Sequence, residues 1–360
     1  MPASPMNDPV SIASALEQPA APLQFPFADP PAPGTAVEAA PGVFWLRMPL
    51  PYALDHINLW LLRDGDGWTI VDCGLNTDVT RELWEQLFGS LLADAPVRRV
   101  IVTHYHPDHF GLAGWLTRRF DVELWMTQGE FLTAHAVCAE VAGYGVKGPA
   151  ALFARHGLDE ERLASIGARG NAYKRTVSEP PAQIRRIMEG DSIAVHGRSW
   201  RVIVGYGHAP EHAALYCEEL GVLISGDMIL PRISTNVSVW PSEPNGNPLR
   251  LFLESVARYA DLPATTLVLP SHGLPFHGLR TRAAQLAEHH DQRLAELLAA
   301  CTQPASAADV LPVLFRRKLD GHQIFFAMGE AIAHLNYLVH QGRLTSEQGP
   351  DGVIRFQRRH

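Results

Sequence analysis

The chain has 360 residues, 46% of them hydrophobic and 19% charged, with a net charge of −8 at pH 7. Those values exclude a disordered chain and leave room for two domains. No apolar run approaches the roughly 20 residues that cross a bilayer, and the amino terminus lacks the basic-then-apolar pattern of a secretory signal.

The four cysteines, Cys73, Cys138, Cys217 and Cys301, form no CxxC pair. They predict neither a disulfide framework nor a structural zinc site, and a reducing cytoplasm is the expected compartment. Charge is uneven: residues 311–360 hold seven Lys/Arg against four Asp/Glu, leaving 23 against 34 before them. The acidic body argues against broad phosphate-backbone binding, and the basic tail keeps nucleic acid open as a less favoured partner.

Residues 1–36 are rich in Pro and Ala and predict a disordered extension with a short helix near 10–16, order beginning near Val43. A domain-sized body is expected over 37–278. Strands are predicted at 43–48, 57–63 and 68–72, the last two joined by Asp64-Gly-Asp-Gly67, and a helix at 79–92. Val100-Ile-Val-Thr103 reads as a buried strand, followed by a helix from Phe110 and a strand at 122–126. Residues 129–187 are helical but broken at Gly143, Gly145, Pro149 and Pro180-Pro181, an insertion of the kind that caps a site. Strands resume at 192–195, 201–205, 213–218 and 222–225, with a helix at 249–259 and a short strand at 267–270. Runs of strands predict two packed sheets with helices outside rather than one doubly wound sheet. From 279 to 360 the rhythm changes. Helices are expected at 279–298, from Ser306 to near Lys318, and at 324–340, then a hairpin about Gln348–Gly352. Three helices and a hairpin outline a winged-helix domain.

The chemistry lies in His104-Tyr-His106-Pro-Asp108-His109, directly after the 100–103 strand. His104 and His106, two apart in extended chain, point the same way. Asp108 and His109 follow the Pro107 turn and face a second point a few ångströms on, as two adjacent metal ions require. His208, Asp227 and His272 come later, each near a predicted strand end: Gly205-Tyr-Gly-His208, Ser225-Gly-Asp227 and Pro270-Ser-His272. No GxSxG elbow is present.

In this order the motifs resemble the metallo-β-lactamase superfamily, specifically its dinuclear hydrolase branch, over about residues 43–280. The resemblance implies an αββα sandwich, an α+β fold, with the site along one edge of the sheets. It implies that His104, His106 and His208 hold one metal, that Asp108, His109 and His272 hold the second, and that Asp227 bridges them. Asp72 in Val71-Asp-Cys-Gly74 matches a position that orients a ligand histidine. Two divalent ions about 3.5–4 Å apart can share a hydroxide that attacks a carbonyl or phosphoryl centre. Asp108, accepting from the nucleophile, and Asp227 are thus the expected catalytic carboxylates. Zinc leads as the metal, with iron or manganese also compatible.

The added carboxy-terminal unit resembles the β-lactamase-like group that includes a mitochondrial single-strand endoribonuclease, as does the stretch 226–241. It departs from glyoxalase II. Other histidines rank lower. His212 is expected beside the ligands rather than among them, His277 in a pocket or at the surface, and His289-His290 in solvent. His135, His156, His322, His334 and His340 belong to helical patterns. Tyr52 and Tyr206 are candidate pocket walls.

Three functions follow. The first is a small-molecule hydrolase of an ester, thioester or lactone, favoured by the complete ligand set and the acidic body. The second is a single-strand endoribonuclease using Arg316, Arg317, Lys318, Arg343, Arg355, Arg358 and Arg359. The third, a binding protein on a degenerate scaffold, is disfavoured because no ligand is missing. A second copy of the chain is a further candidate partner through the winged helix. Substrate choice is expected to lie in residues 129–187, 49–56 and 231–240.

Overall fold

A computed structural model describes residues 22–359 except 94, 142 and 169, so the helix expected near 10–16 lies outside the described residues. Seven strands form the first sheet in chain order: β1 (Ala36–Ala40), β2 (Val43–Pro49), β3 (His56–Asp64), β4 (Gly67–Val71), β5 (Val97–Ile101), β6 (Leu124–Met126) and β7 (Arg185–Arg186). Between them run α1 (Asp78–Phe88), α2 (Pro107–Phe110), α3 (Ala113–Phe120), α4 (Gln128–Cys138), α5 (Lys147–Arg155), α6 (Glu160–Ala168) and α7 (Ala172–Thr176). The second sheet holds β8 (Ser192–Val195), β9 (Arg198–Gly205), β10 (His212–Cys217), β11 (Val222–Gly226) and β12 (Leu267–Pro270), with α8 (Pro248–Tyr259) before its last strand. The chain ends with α9 (Leu279–Ala300), α10 (Leu311–Leu314), α11 (Gly321–His340) and a hairpin of β13 (Leu344–Gln348) and β14 (Ile354–Arg358).

Register explains why the sheets stack. Trp45, Trp60, Val71 and Ile101 are cross-strand partners, so they form one row on one face of the first sheet. Val202, Leu215, Ile224 and Leu269 form the matching row in the second. Both rows are buried in a shared core between the sheets. Because strand side chains alternate, the opposite faces are apolar too. Leu59, Leu61 and Ile70 meet Trp84 of α1 and Leu116 of α3, while Ala214, Tyr216 and Leu223 meet Phe252 of α8. The result is a mixed sandwich of two sheets with helices outside, as expected.

The core under α8 runs on without a break through α9, α10 and α11 to Leu344 and Phe356 of the last hairpin. The carboxy-terminal unit therefore packs into the body rather than hanging from it. Its middle helix is shorter than expected, four residues instead of a segment from Ser306 to Lys318. Ser306 and Asp309 close a turn of their own, each side chain accepting the other's backbone N–H, and Phe315 turns extended and ends the helix.

Order also begins earlier than Val43. Gln24 pairs with His277 through both backbone bonds, Phe27 packs edge-on against Trp45, and β1 pairs with β2. β1 and β7 went unseen because Ala-Val-Glu-Ala-Ala has no alternation and Arg185-Arg186 is too short to show any. No described helix is long and apolar enough to cross a membrane.

Trp60 is 1% exposed and stacks on Trp45 between the sheets. Its replacement by alanine should lower unfolding stability by about 3–5 kcal/mol, read from denaturant midpoints.

Candidate metal centre

The carboxyl ends of β4, β5, β11 and β12 and the turn between β9 and β10 meet at one rim. Two backbone bonds join the sheets there, Ala213 N–H to Thr103 C=O at 2.8 Å and Asn58 N–H to Ser271 C=O at 2.6 Å. Pro107 opens the short α2, which carries Asp108 and His109 back over the end of β5. The structure brings all seven expected residues to this rim. Donor atoms of His104, His106, His208 and Asp227 lie within 4.8 Å of one another, as do those of Asp108, His109 and His272.

Which ring nitrogens face inward follows from the hydrogen bonds outside. His208 Nδ1 donates to Asn236 C=O at 2.7 Å, and His272 Nδ1 to His56 C=O at 2.7 Å. His109 Nδ1 donates to Asp72 Oδ2 at 2.8 Å. Thr103 donates its hydroxyl to Asp72 and so accepts from His104 Nδ1 at 3.0 Å. In each case Nε2 is the nitrogen turned inward, a bare acceptor when the ring is neutral.

These acceptors face one another. His104 Nε2 lies 3.2 Å from His208 Nε2 and 2.9 Å from His106 Nδ1. Asp227 divides its oxygens: Oδ2 is 3.4 Å from His208 Nε2, while Oδ1 is 3.4 Å from His109 Nε2 and 3.5 Å from His272 Nε2. Asp108 Oδ2 sits 3.5 Å from His272 Nε2 and 3.7 Å from His109 Nε2. Lone pairs converging on buried points call for a cation, and the imidazole and carboxylate donors suit a divalent metal. His109 Nε2 and Asp227 Oδ1 are buried with no hydrogen-bond partner.

Electrostatics set the two donor groups apart. Burial, with the neighbouring imidazoles, pushes His104 and His106 well below the ordinary histidine value, so both stay neutral. Burial works against charge on His109 as well, but Asp72, Asp108 and Asp227 outweigh it and hold that ring well above the ordinary value. Asp227 is buried, yet His272 and His109 keep its carboxyl well below the usual range.

Asp72 and His212, both expected beside the ligands, are joined by Gly226 and Glu130, whose supporting roles carried no sequence signal. Asp72 adopts a left-handed backbone, φ 63°, and its Oδ1 also accepts the Thr103 N–H at 2.8 Å. His212, pushed down to about 3 by burial and the His208 ring, accepts the Asp227 N–H at 3.1 Å. That contact needs Gly226, whose missing Cβ would lie 2.2 Å from the His212 ring. Glu130 is fully buried and binds the backbone N–H groups of Tyr105 and Glu211, clamping the two histidine loops together. Among the lower-ranked histidines, His277 points to Thr266 C=O, away from the site. His290 is not solvated as expected: it is buried, with Nδ1 3.0 Å from His334 Nε2 between α9 and α11.

The carboxy-terminal unit reaches the site through Asn236. Its C=O anchors His208, and its Nδ2 donates to Glu330 of α11 at 3.2 Å. The next residues lie along the same helix: Val239 N–H donates to Gly329 C=O, and a Cβ on Gly329 would stand 2.7 Å from Ser238.

Against known proteins, the family described as Metallo-beta-lactamase superfamily matches residues 53–272, and the Metallo-beta-lactamase-like, C-terminal domain matches 294–359. The chain belongs to the metallo-beta-lactamase superfamily and is a hydrolase. A crystal structure of a beta-lactamase domain protein from Burkholderia ambifaria is 52% identical, covers 97% of this chain and 100% of its own, and superposes with a TM-score of 0.87. The probable metallo-hydrolase YqjP of Bacillus subtilis is 24% identical over 84% of this chain and 94% of its own. A bovine acyl-coenzyme A thioesterase, MBLAC2, is 25% identical over 52% of this chain and 63% of its own.

Asp72→Asn should weaken metal binding about 10–100-fold at the Asp108–His109–His272 position, by removing the acceptor that fixes His109. Competition with a chelator would read this, and an unchanged affinity would contradict the orienting role.

Glu330 yields a pH prediction. Burial, opposed by Asn236 and Arg293, lifts its carboxyl to about 7. The folded chain therefore holds a proton that the unfolded chain releases above about pH 4.3. Stability from this group should fall as pH rises through that window to about 7. Glu330→Gln should gain on the wild type between pH 5 and pH 8 by on the order of 3 kcal/mol in urea unfolding.

Proposed function

We propose that the chain is a dinuclear metal-dependent hydrolase of small acyl compounds, with thioesters first and esters and lactones next. The observation that carries this reading is the division of Asp227, one oxygen towards each donor group, beside two sets of inward-facing imidazole nitrogens. His104, His106 and His208 would hold one ion, Asp108, His109 and His272 the other, and Asp227 would serve both. Two divalent ions, zinc before iron or manganese, supply Lewis-acid activation of water and of the substrate carbonyl.

The chain's own residues do the rest. Asp108, with 18% of its side chain exposed, is the most open carboxylate of the set and takes a proton from the attacking water. Asp227, at 11%, stays ionised between the histidines. The acyl specificity is favoured by the bovine relative, whose name gives it as an acyl-coenzyme A thioesterase. The carboxy-terminal helices and hairpin are taken as a winged helix used for packing, since their apolar side belongs to the main core. A nucleic-acid role draws less support: of the tail cations, Arg316 already faces Glu296 and Arg355 pairs with Asp351.

Protein loaded with zinc should contain about two ions per chain and hydrolyse at least one member of a panel of acyl thioesters, esters and lactones. His106→Ala and chelator treatment should each lower the rate by about 100-fold or more. Loaded protein that turns over none of the panel, or that cleaves only single-stranded RNA, would overturn the acyl reading.

A further inference from the structure

A cavity of about 190 Å³ adjoins the candidate metal centre, with His106 and Pro107 in its wall. Its apolar lining comes from three separate parts of the chain. The insertion supplies Val137, Val146 and Ile166, the stretch before α8 supplies Trp240, and α11 supplies Phe325 and Phe326. An aromatic wall runs between the two ends. Tyr105, next to His106, meets Trp240 at 6.4 Å between ring centroids, and Trp240 meets Phe325 at 6.0 Å.

Three polar side chains in the lining are turned to the protein's own backbone. Tyr173 donates its hydroxyl to Tyr105 C=O at 2.6 Å, and Thr176 donates to Ala172 C=O. Asn171 caps α7 through Lys174 N–H and donates to Val137 C=O. These three therefore present carbon rather than hydrogen-bonding groups to a ligand.

We propose that this cavity is the acyl-chain site, and that it takes an unbranched apolar acyl group of about six to eight carbons with its carbonyl end at His106. The size argument is direct. A dry cavity of about 150 Å³ lined by aliphatic and aromatic side chains holds a benzene ring, so 190 Å³ accommodates a somewhat longer hydrocarbon. Burying each methylene in such a wall favours binding by roughly fourfold. The proposal rests on the acyl-hydrolase reading and adds the identity of the acyl group.

The test is a series of straight-chain acyl thioesters from two to twelve carbons, with kcat/KM measured on zinc-loaded protein. The value should rise by about fourfold per methylene to six or eight carbons and then level or fall. Val146→Trp, which fills the cavity from its half-buried wall, should lower the octanoyl-to-acetyl ratio by about tenfold or more. Phe326→Ala should move the optimum to longer chains. The ratio is read within each variant, so a loss of folded protein cancels. Displacement of an apolar fluorescent probe by octanoate but not acetate, weakened in Val146→Trp, gives a readout independent of turnover.

A flat chain-length profile in an active enzyme, or ratios unmoved in both variants, would overturn the acyl site while leaving the hydrolase reading intact. Octanoate binding that responds to Val146→Trp in a protein that hydrolyses no acyl compound would do the reverse.

Discussion

Five imidazoles and two carboxylates turn inward on one another at the rim, and the surrounding structure holds them there. Left to themselves, His104 Nε2 and His208 Nε2 would not rest 3.2 Å apart with no hydrogen between them. They are held because the far sides of four of the five rings are tied. Thr103, Asn236, His56 and Asp72 each take one Nδ1 proton, fixing both tautomer and ring plane. Two anchors are backbone carbonyls, Asp72 also accepts the Thr103 N–H, and together they pre-orient the rings.

Those anchors come from both sheets, which is why the sandwich matters to the chemistry. Asn58 bonds the carbonyls of Pro270 and Gly273 as well as the Ser271 C=O, pinning the loop that carries His272 to the first sheet. Glu130 reaches from α4 to hold the loops of Tyr105 and Glu211. A shift of one sheet against the other would separate His104, His106, Asp108 and His109 from His208, Asp227 and His272. The apolar rows between the sheets therefore position the site as well as stabilise the fold.

The sequence disclosed what is local. The run from His104 to His109 follows a β-branched strand, and each later ligand sits where an apolar strand ends, so period and spacing sufficed. Most strand positions were legible for the same reason: alternation and turn residues are short-range signals. What was hidden depends on contacts across long separations. Asn236 and Glu330 are 94 residues apart, and nothing in the stretch 226–241 signals its partner on α11. Asp72 was expected to orient a histidine, but its left-handed backbone was not foreseeable from Val-Asp-Cys-Gly. His290 sat in a helix as an ordinary polar residue, and only the packing of α9 on α11 shows it buried against His334.

The same distinction separates reaction from substrate. The ligand set is confined to short motifs at strand ends, whereas the cavity wall is assembled from an insertion, a loop and a helix more than two hundred residues after the first histidine. On α11, Phe326 of the wall and Glu330 beneath Asn236 are four residues apart, one turn along a helix, and so lie on the same side. One rigid element thus touches both this cavity and the anchor of His208. Reshaping the wall by moving this helix would also move the anchor of a metal-facing histidine, whereas changing a side chain such as Val146 would not. Selectivity in this protein is consequently freer to vary through the insertion than through the carboxy-terminal helix, because only the latter is tied to the geometry of the metal centre.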